Sequence, residues 1–145
     1  MSTVDSIYKG CESDLERVMQ VEKSNVYSVK GTDFPAGRCI RVLEGPGALI
    51  EAQNFVMGHV TLYPAGCVPL HSHEQEEVYL ILSGKGVICI NDEEQNVKRG
   101  DYIYISPGFN HVLNNTSNEN MIMIFCYAPK SIVEHWKLEL EGKLK

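Results

Sequence analysis

The stretch His71-Ser72-His73-Glu74-Gln75-Glu76-Glu77-Val78-Tyr79-Leu80-Ile81-Leu82-Ser83-Gly84 sets two imidazoles one residue apart, with a carboxylate and then a turn glycine after them. On an extended strand alternate side chains share a face, so His71 and His73 project to one side, and Glu77 keeps that parity if the strand runs unbroken. Downstream, Ser106-Pro107-Gly108 is a turn able to start a further strand and deliver His111 as a fourth arm, with Asn115 on the same face. Imidazoles and a carboxylate converging on one point suit a divalent cation. The interior of a barrel is the natural meeting place, because inward residues of several strands converge there.

Outward from this stretch, beginning at Asn25, short runs of β-branched, aromatic and aliphatic residues alternate with turn formers such as Gly45-Pro46-Gly47, Pro64-Ala65-Gly66 and Asn91-Asp92. This predicts an all-β protein, an antiparallel barrel or jelly roll. Strands are expected near 25–30, 38–44, 54–63, 77–83, 86–91, 95–98, 102–105, 110–114 and 120–127. Ser13-Asp14-Leu15-Glu16 has the capping-box pattern and predicts a short helix over 14–22. Ser131-Ile132-Val133-Glu134 repeats the pattern ahead of a C-terminal helix, with Val133, Trp136 and Leu140 on one face to cover the barrel. The expected division is an N-terminal arm over 1–35, a barrel over 36–128 and the helix over 129–145, all in one domain.

With 145 residues, 43% apolar and 22% charged, the chain has the composition of an ordinary globular protein. Thirteen basic against nineteen acidic side chains give a net charge of −6, which opposes nucleic acid and anionic membrane surfaces as partners. Five scattered cysteines (Cys11, Cys39, Cys67, Cys89, Cys126) cannot all pair within one chain and fit a reducing compartment. The start, Met1 to Gly10, has no apolar signal region. The longest apolar run, Met121 to Ala128, falls far short of the roughly 20 residues that cross a bilayer. A cytoplasmic location is expected.

The two histidine-bearing stretches together resemble the motifs of the cupin superfamily. The first motif, Gly, five residues, His-x-His, three or four residues, Glu, six residues, Gly, is matched by His71, His73, Glu77 and Gly84, with Ala65 where the opening glycine stands and Gly66 one position later. The second, Gly, five residues, Pro-x-Gly, two residues, His, three residues, Asn, is matched by Gly100, Ser106-Pro107-Gly108, His111 and Asn115, with Ser106 replacing the proline. Fifteen residues, Lys85 to Arg99, separate them, and the resemblance covers roughly 36–128. It implies a cupin-type (RmlC-like) antiparallel barrel in which His71, His73, Glu77 and His111 hold one divalent transition metal: manganese, iron, cobalt, nickel or zinc. Strand parity and the interval to Gly84 favour Glu77 over Glu74 and Glu76, which are expected to face solvent.

Three imidazoles and one carboxylate leave an octahedral metal two positions for water or ligand. Acid and base candidates near it are His59, Tyr63 and Tyr79, then Tyr102 and Tyr104, each of which would serve equally as a packed residue with one satisfied polar atom. The expected function is a metal-dependent lyase, isomerase or decarboxylase acting on a small polar molecule. A non-haem iron dioxygenase and a non-catalytic module that binds or senses a small molecule or sugar remain open beside it. Cupins commonly pair through their sheets, so a homodimer is expected, and the segment before the first strand is too short for a helix-turn-helix.

Overall fold

Burial at every second residue builds the strands: β5 (Glu76–Ser83) and β10 (Met121–Ala128) each alternate between buried and more exposed side chains along their length. The computed structural model describes residues 21–131 and 134–143. The remaining strands are β1 (Thr32–Phe34), β2 (Arg38–Glu44), β3 (Val56–Leu62), β4 (Cys67–His71), β6 (Lys85–Ile90), β7 (Glu93–Lys98), β8 (Tyr102–Ile105) and β9 (His111–Asn114). One helix, α1 (Glu134–Leu140), follows them. All strand pairings are antiparallel, in a six-stranded sheet ordered β1-β2-β3-β10-β5-β8 and a four-stranded sheet ordered β4-β9-β6-β7. Ile40, Val60, Leu62, Ile81, Met123 and Phe125 of the larger sheet and Val68, Ile88 and Leu113 of the smaller form one buried cluster.

The all-β antiparallel expectation holds, but several details differ. Among the described residues the two sheets are hydrogen-bonded separately, so they form a two-layer jelly roll rather than a closed barrel. The expected strand at 25–30 is a 3-10 turn, Val26–Ser28, because the Asn25 side chain accepts from the Tyr27 amide at 2.9 Å and caps it. Strand β4, which is not among the expected strands, carries Pro69. It is tolerated because β4 is the outermost strand of its sheet and its pairing with β9 is irregular between Val68 and His71. Of the helix expected over 14–22, residues 14–20 lie outside the described residues, and 21 and 22 are not helical.

Helix α1 covers the fold through Trp136, as expected, but its buried stripe takes in His135 and Glu139 and not Leu140. His135 and Glu139 are buried and Trp136 is partly buried, whereas Leu140 is 52% exposed and Val133 lies outside the described residues. Two anchors fix this rotation. Trp136 packs edge-on against Phe34, Phe125 and Tyr127, and the Glu139 carboxylate meets the Arg38 guanidinium at 2.6 Å. Arg38 also lies over the Phe34 ring, 4.7 Å from its centroid.

The turn before β4 explains the displaced glycine of the first motif. Ala65 adopts φ 63°, the left-handed region that glycine enters at no steric cost. A Cβ on Gly66 would lie 2.0 Å from the Gly37 carbonyl oxygen. Glycine is thus needed at 66 for close approach, and the chain accepts strain at 65. Ala65→Gly should stabilise the fold by up to about 1 kcal/mol, the left-handed cost net of glycine's entropy. Gly66→Ala should cost about 1–3 kcal/mol through forced displacement of backbone. Chemical denaturation of both variants checks this, and equal effects of one sign would refute the account.

Candidate metal centre

Antiparallel pairing places His71, the last residue of β4, opposite His111, the first of β9, so their side chains emerge side by side. Glu77 enters from the other sheet, on β5, sharing the inward face with Tyr79 and Ile81. The strand expected to run unbroken from His71 to Glu77 does not: residues 72–75 are a non-strand crossover between sheets, and His73 sits within it. Its placement comes instead from backbone anchoring, because the Gly108 amide donates to the His73 carbonyl at 2.8 Å. The turn of the second motif thereby positions a residue of the first.

Ligand atoms of His71, His73, Glu77 and His111 all lie within 4.8 Å of one another. Glu77 Oε1 is 3.2 Å from His73 Nε2 and 3.3 Å from His111 Nε2. Each ring's Nδ1 faces a carbonyl oxygen: Pro69 for His71 (2.6 Å), Gln75 for His73 (2.9 Å) and Phe109 for His111 (2.9 Å). A carbonyl only accepts, so every Nδ1 carries the proton and donates. In its neutral form each ring so held presents an Nε2 lone pair as a ligand, and His73, whose Nε2 meets Glu77 Oε1, would give up its Nε2 proton to do so, an arrangement that orients metal-binding histidines. His111 Nε2 is buried without a hydrogen-bond partner. An unpartnered buried nitrogen, a carboxylate and two further imidazoles in one place fit a divalent cation.

Burial, followed by the nearby His111, lowers the His71 pKa to about 3. Burial also acts to lower that of His73, but the Glu77 carboxylate outweighs it and the net shift is upward. For Glu77 burial opposes ionisation, and the close approach of the His111 and His73 imidazoles prevails, holding its carboxyl below the usual range. Tyr79, fully enclosed, is pushed well above its ordinary value by burial and then by Glu77, so it is a donor at neutral pH rather than a base.

The other candidates are placed apart. His59 pairs with Arg41 and Ile124, whereas its neighbour Val60 faces the core, so His59 occupies the opposite face of the sheet under the Tyr27 ring, 6.0 Å away. Tyr63 is exposed and donates to Asp33 Oδ1 at 2.9 Å. Tyr102 and Tyr104 are exposed, as are Glu74 and Glu76. Asn115 is structural: its Nδ2 donates to the Leu62, Tyr63 and Glu119 carbonyls.

The sequence reading missed His135, Arg38, Glu139 and Tyr127. His135 stacks on His71 with ring centroids 3.7 Å apart, and burial followed by the His71 charge lowers its pKa to about 2. Arg38, His71, Glu77, Tyr79, Tyr127 and His135 line a cavity of only about 20 Å³, room for roughly one water. A wider groove of about 770 Å³ along β6, β7 and β8 contains none of the four ligands. One signal for Arg38 was available, since it shares parity with Ile40 on a predicted strand.

A family model described as a cupin domain matches residues 58–127. The chain is 39% identical over 61 residues to an uncharacterised protein of Methanocaldococcus jannaschii, covering 41% of this chain and 49% of the relative. It is 36% identical over 67 residues to an oxalate-binding protein of Thermotoga maritima, covering 46% and 55%. These matches span about half the length of each relative. Among solved structures, the polyketide cyclase RemF of Streptomyces resistomycificus superposes with a TM-score of 0.65 at 18% identity, covering 86% of this chain and 99% of that one.

Acid should destabilise the metal-free protein. His71 and His135 have folded pKa values below the ordinary 6.5, so the unfolded chain binds more protons below that pH and their contribution is lost as pH falls towards about 3. Glu77, also depressed, acts in the same sense below 4.5. His73, raised, acts oppositely, contributing below 6.5 and losing that contribution as pH rises through its folded value. The expected net result is a melting temperature that drops between pH 7 and about pH 4, with a flatter profile for His135→Phe. An unchanged profile in that variant would show that His135 is not buried as a neutral ring.

Proposed function

The chain belongs to the cupin superfamily, and on that premise we propose that it is a metal-dependent enzyme of lyase, isomerase or decarboxylase type acting on a small polar molecule. The observation that carries this reading is the convergence of four ligand atoms within 4.8 Å, on residues whose ring tautomers are fixed by the backbone. His71, His73, Glu77 and His111 would hold the ion, and their donor set suits manganese, iron, cobalt, nickel or zinc. When bound, it supplies Lewis acidity that stabilises developing negative charge. Tyr79, protonated and next to Glu77, donates a hydrogen bond to a ligand oxygen, and the apolar walls from Val60, Val68, Met123 and Phe125 exclude water. On this reading His59, on the opposite face of its sheet, and Tyr63, bonded to Asp33 at the surface, take no part in the chemistry.

Two other readings have specific support. The three-histidine, one-glutamate set also suits oxygen chemistry at ferrous iron, which oxygen uptake dependent on added iron would reveal. Binding without turnover is supported by the relative named an oxalate-binding protein. The primary test is elemental analysis of protein purified without chelator, followed by a metabolite screen with that metal restored. His73→Ala and His111→Ala should abolish retained metal, while Glu76→Ala should leave it near the wild-type level. Equal losses for Glu76→Ala and Glu77→Ala would overturn the ligand assignment.

We place the protein in the cytoplasm as a homodimer. Cys39, Cys67, Cys89 and Cys126 are all free thiols, as a reducing compartment would leave them. No helix among the described residues is long and apolar enough to cross a membrane. The outward face of β5 and β8 exposes Val78 and Leu80 opposite Tyr104 and Tyr102, an apolar stripe suited to a second copy. Leu80→Lys should convert dimer to monomer in sedimentation velocity, and a wild-type monomer would remove this part of the reading.

A further inference from the structure

Helix α1 closes one side of the small cavity with His135 and Trp136, and beside them it inserts a carboxylate, that of Glu139. Glu139 Oε1 accepts from Arg38 Nη1 at 2.6 Å and from the Ala36 amide at 3.2 Å, with Arg38 and Glu139 only 1% and 3% exposed. His135, one turn earlier, lies flat on the ligand His71. The space left beside Glu77 and Tyr79 is about 20 Å³. A substrate can reach the inner side of the ligands from this direction only after the helix moves.

This seal is imperfectly satisfied. Arg38 Nη2, Glu139 Oε2 and His135 Nδ1 are buried without hydrogen-bond partners, three of the five such side-chain atoms among the described residues. A guanidinium has a planar fork matched to two carboxylate oxygens, and here only one arm is used. With the helix withdrawn, Glu139 would leave with it, and Arg38 together with a divalent ion would outweigh the single negative charge of Glu77. Such a lumen selects an anion.

We propose that Arg38 is the specificity-determining residue of the cavity, that the ligand is a small carboxylic acid, and that its carboxylate displaces Glu139 from Arg38 as α1 swings out. This rests on the metal-centre reading for its chemistry, but the exchange of carboxylates on Arg38 stands without the metal. Helix α1 is therefore an internal competitor, occupying the anion site until a free acid replaces it.

Trp136, the chain's single tryptophan, sits on the moving element against Phe34, Phe125 and Tyr127, so its emission reports the exchange. The test titrates malonate, and its neutral counterpart malonamide, into metal-free and metal-loaded protein. Malonate should red-shift Trp136 emission saturably in both forms, and malonamide should not. Glu139→Gln removes the competing charge and should tighten malonate binding about tenfold, while Arg38→Lys, which keeps the charge but loses the fork, should weaken it by a similar factor. Malonate and malonamide acting alike, unchanged affinity in Glu139→Gln, or saturation with Trp136 emission unmoved would each overturn the proposal. Failure of the wild-type protein to retain metal would instead refute the metal-centre reading, and the metal-free titration would still report on Arg38.

Discussion

The register between β4 and β9 is the constraint on which the site depends. It sets His71 opposite His111 and joins two motifs that are far apart in the chain, and the pairing of β5 with β8 links the same motifs a second time by setting Glu77 opposite Ile105. A slip by one residue would turn one of these imidazoles to the other face of the sheet. Several local devices hold the register. Asn115, just beyond β9, ties that end to three carbonyls, and the Asn115 amide donates to Gly66 at 2.9 Å, just before β4. The tight contact of Gly66 with Gly37 fixes the opposite side of the same corner.

Around that register the protein gathers polar groups where apolar ones would be the simpler choice. Three imidazoles, a carboxylate, a tyrosine and a stacked fourth imidazole lie inside the fold, and burial holds His71 and His135 neutral. Backbone carbonyls satisfy three of the rings on one side only, and the opposite nitrogens converge. Desolvation of this kind is costly unless something compensates it, which is why the arrangement reads as a binding centre and not as core packing. The ion pair of Arg38 with Glu139 follows the same logic a few residues away: a buried charge is held by a partner that belongs to a separate, short element.

Much of this was legible in the sequence, for identifiable reasons. Runs of aliphatic and aromatic residues made β5 and β10 visible, and turn glycines, both at positive φ, marked the end of β5 at Gly84 and the approach to β8 at Gly100. The four clustered side chains, the candidate ligands, were recognisable through motif spacing, although the parity argument that joined His73 to His71 and Glu77 on one strand was mistaken, because the chain crosses between sheets there. Strand β4 was not among the expected strands, and it holds a proline that an edge strand accommodates, a position local sequence does not reveal. His135 and Glu139 were missed for a related reason. The rotation of α1 is set by Arg38 and by the aromatic cluster it meets, so its apolar periodicity pointed to Leu140 instead.

Pro69 itself has a further consequence. It fastens His71 through its carbonyl while offering no amide hydrogen of its own on the outermost strand of the small sheet. A foreign strand seeking to extend that sheet would find the ladder interrupted beside the ligand. The residue that orients the imidazole therefore also discourages intermolecular zippering at the rim, so the chain can carry its reactive groups near an open border without inviting aggregation there.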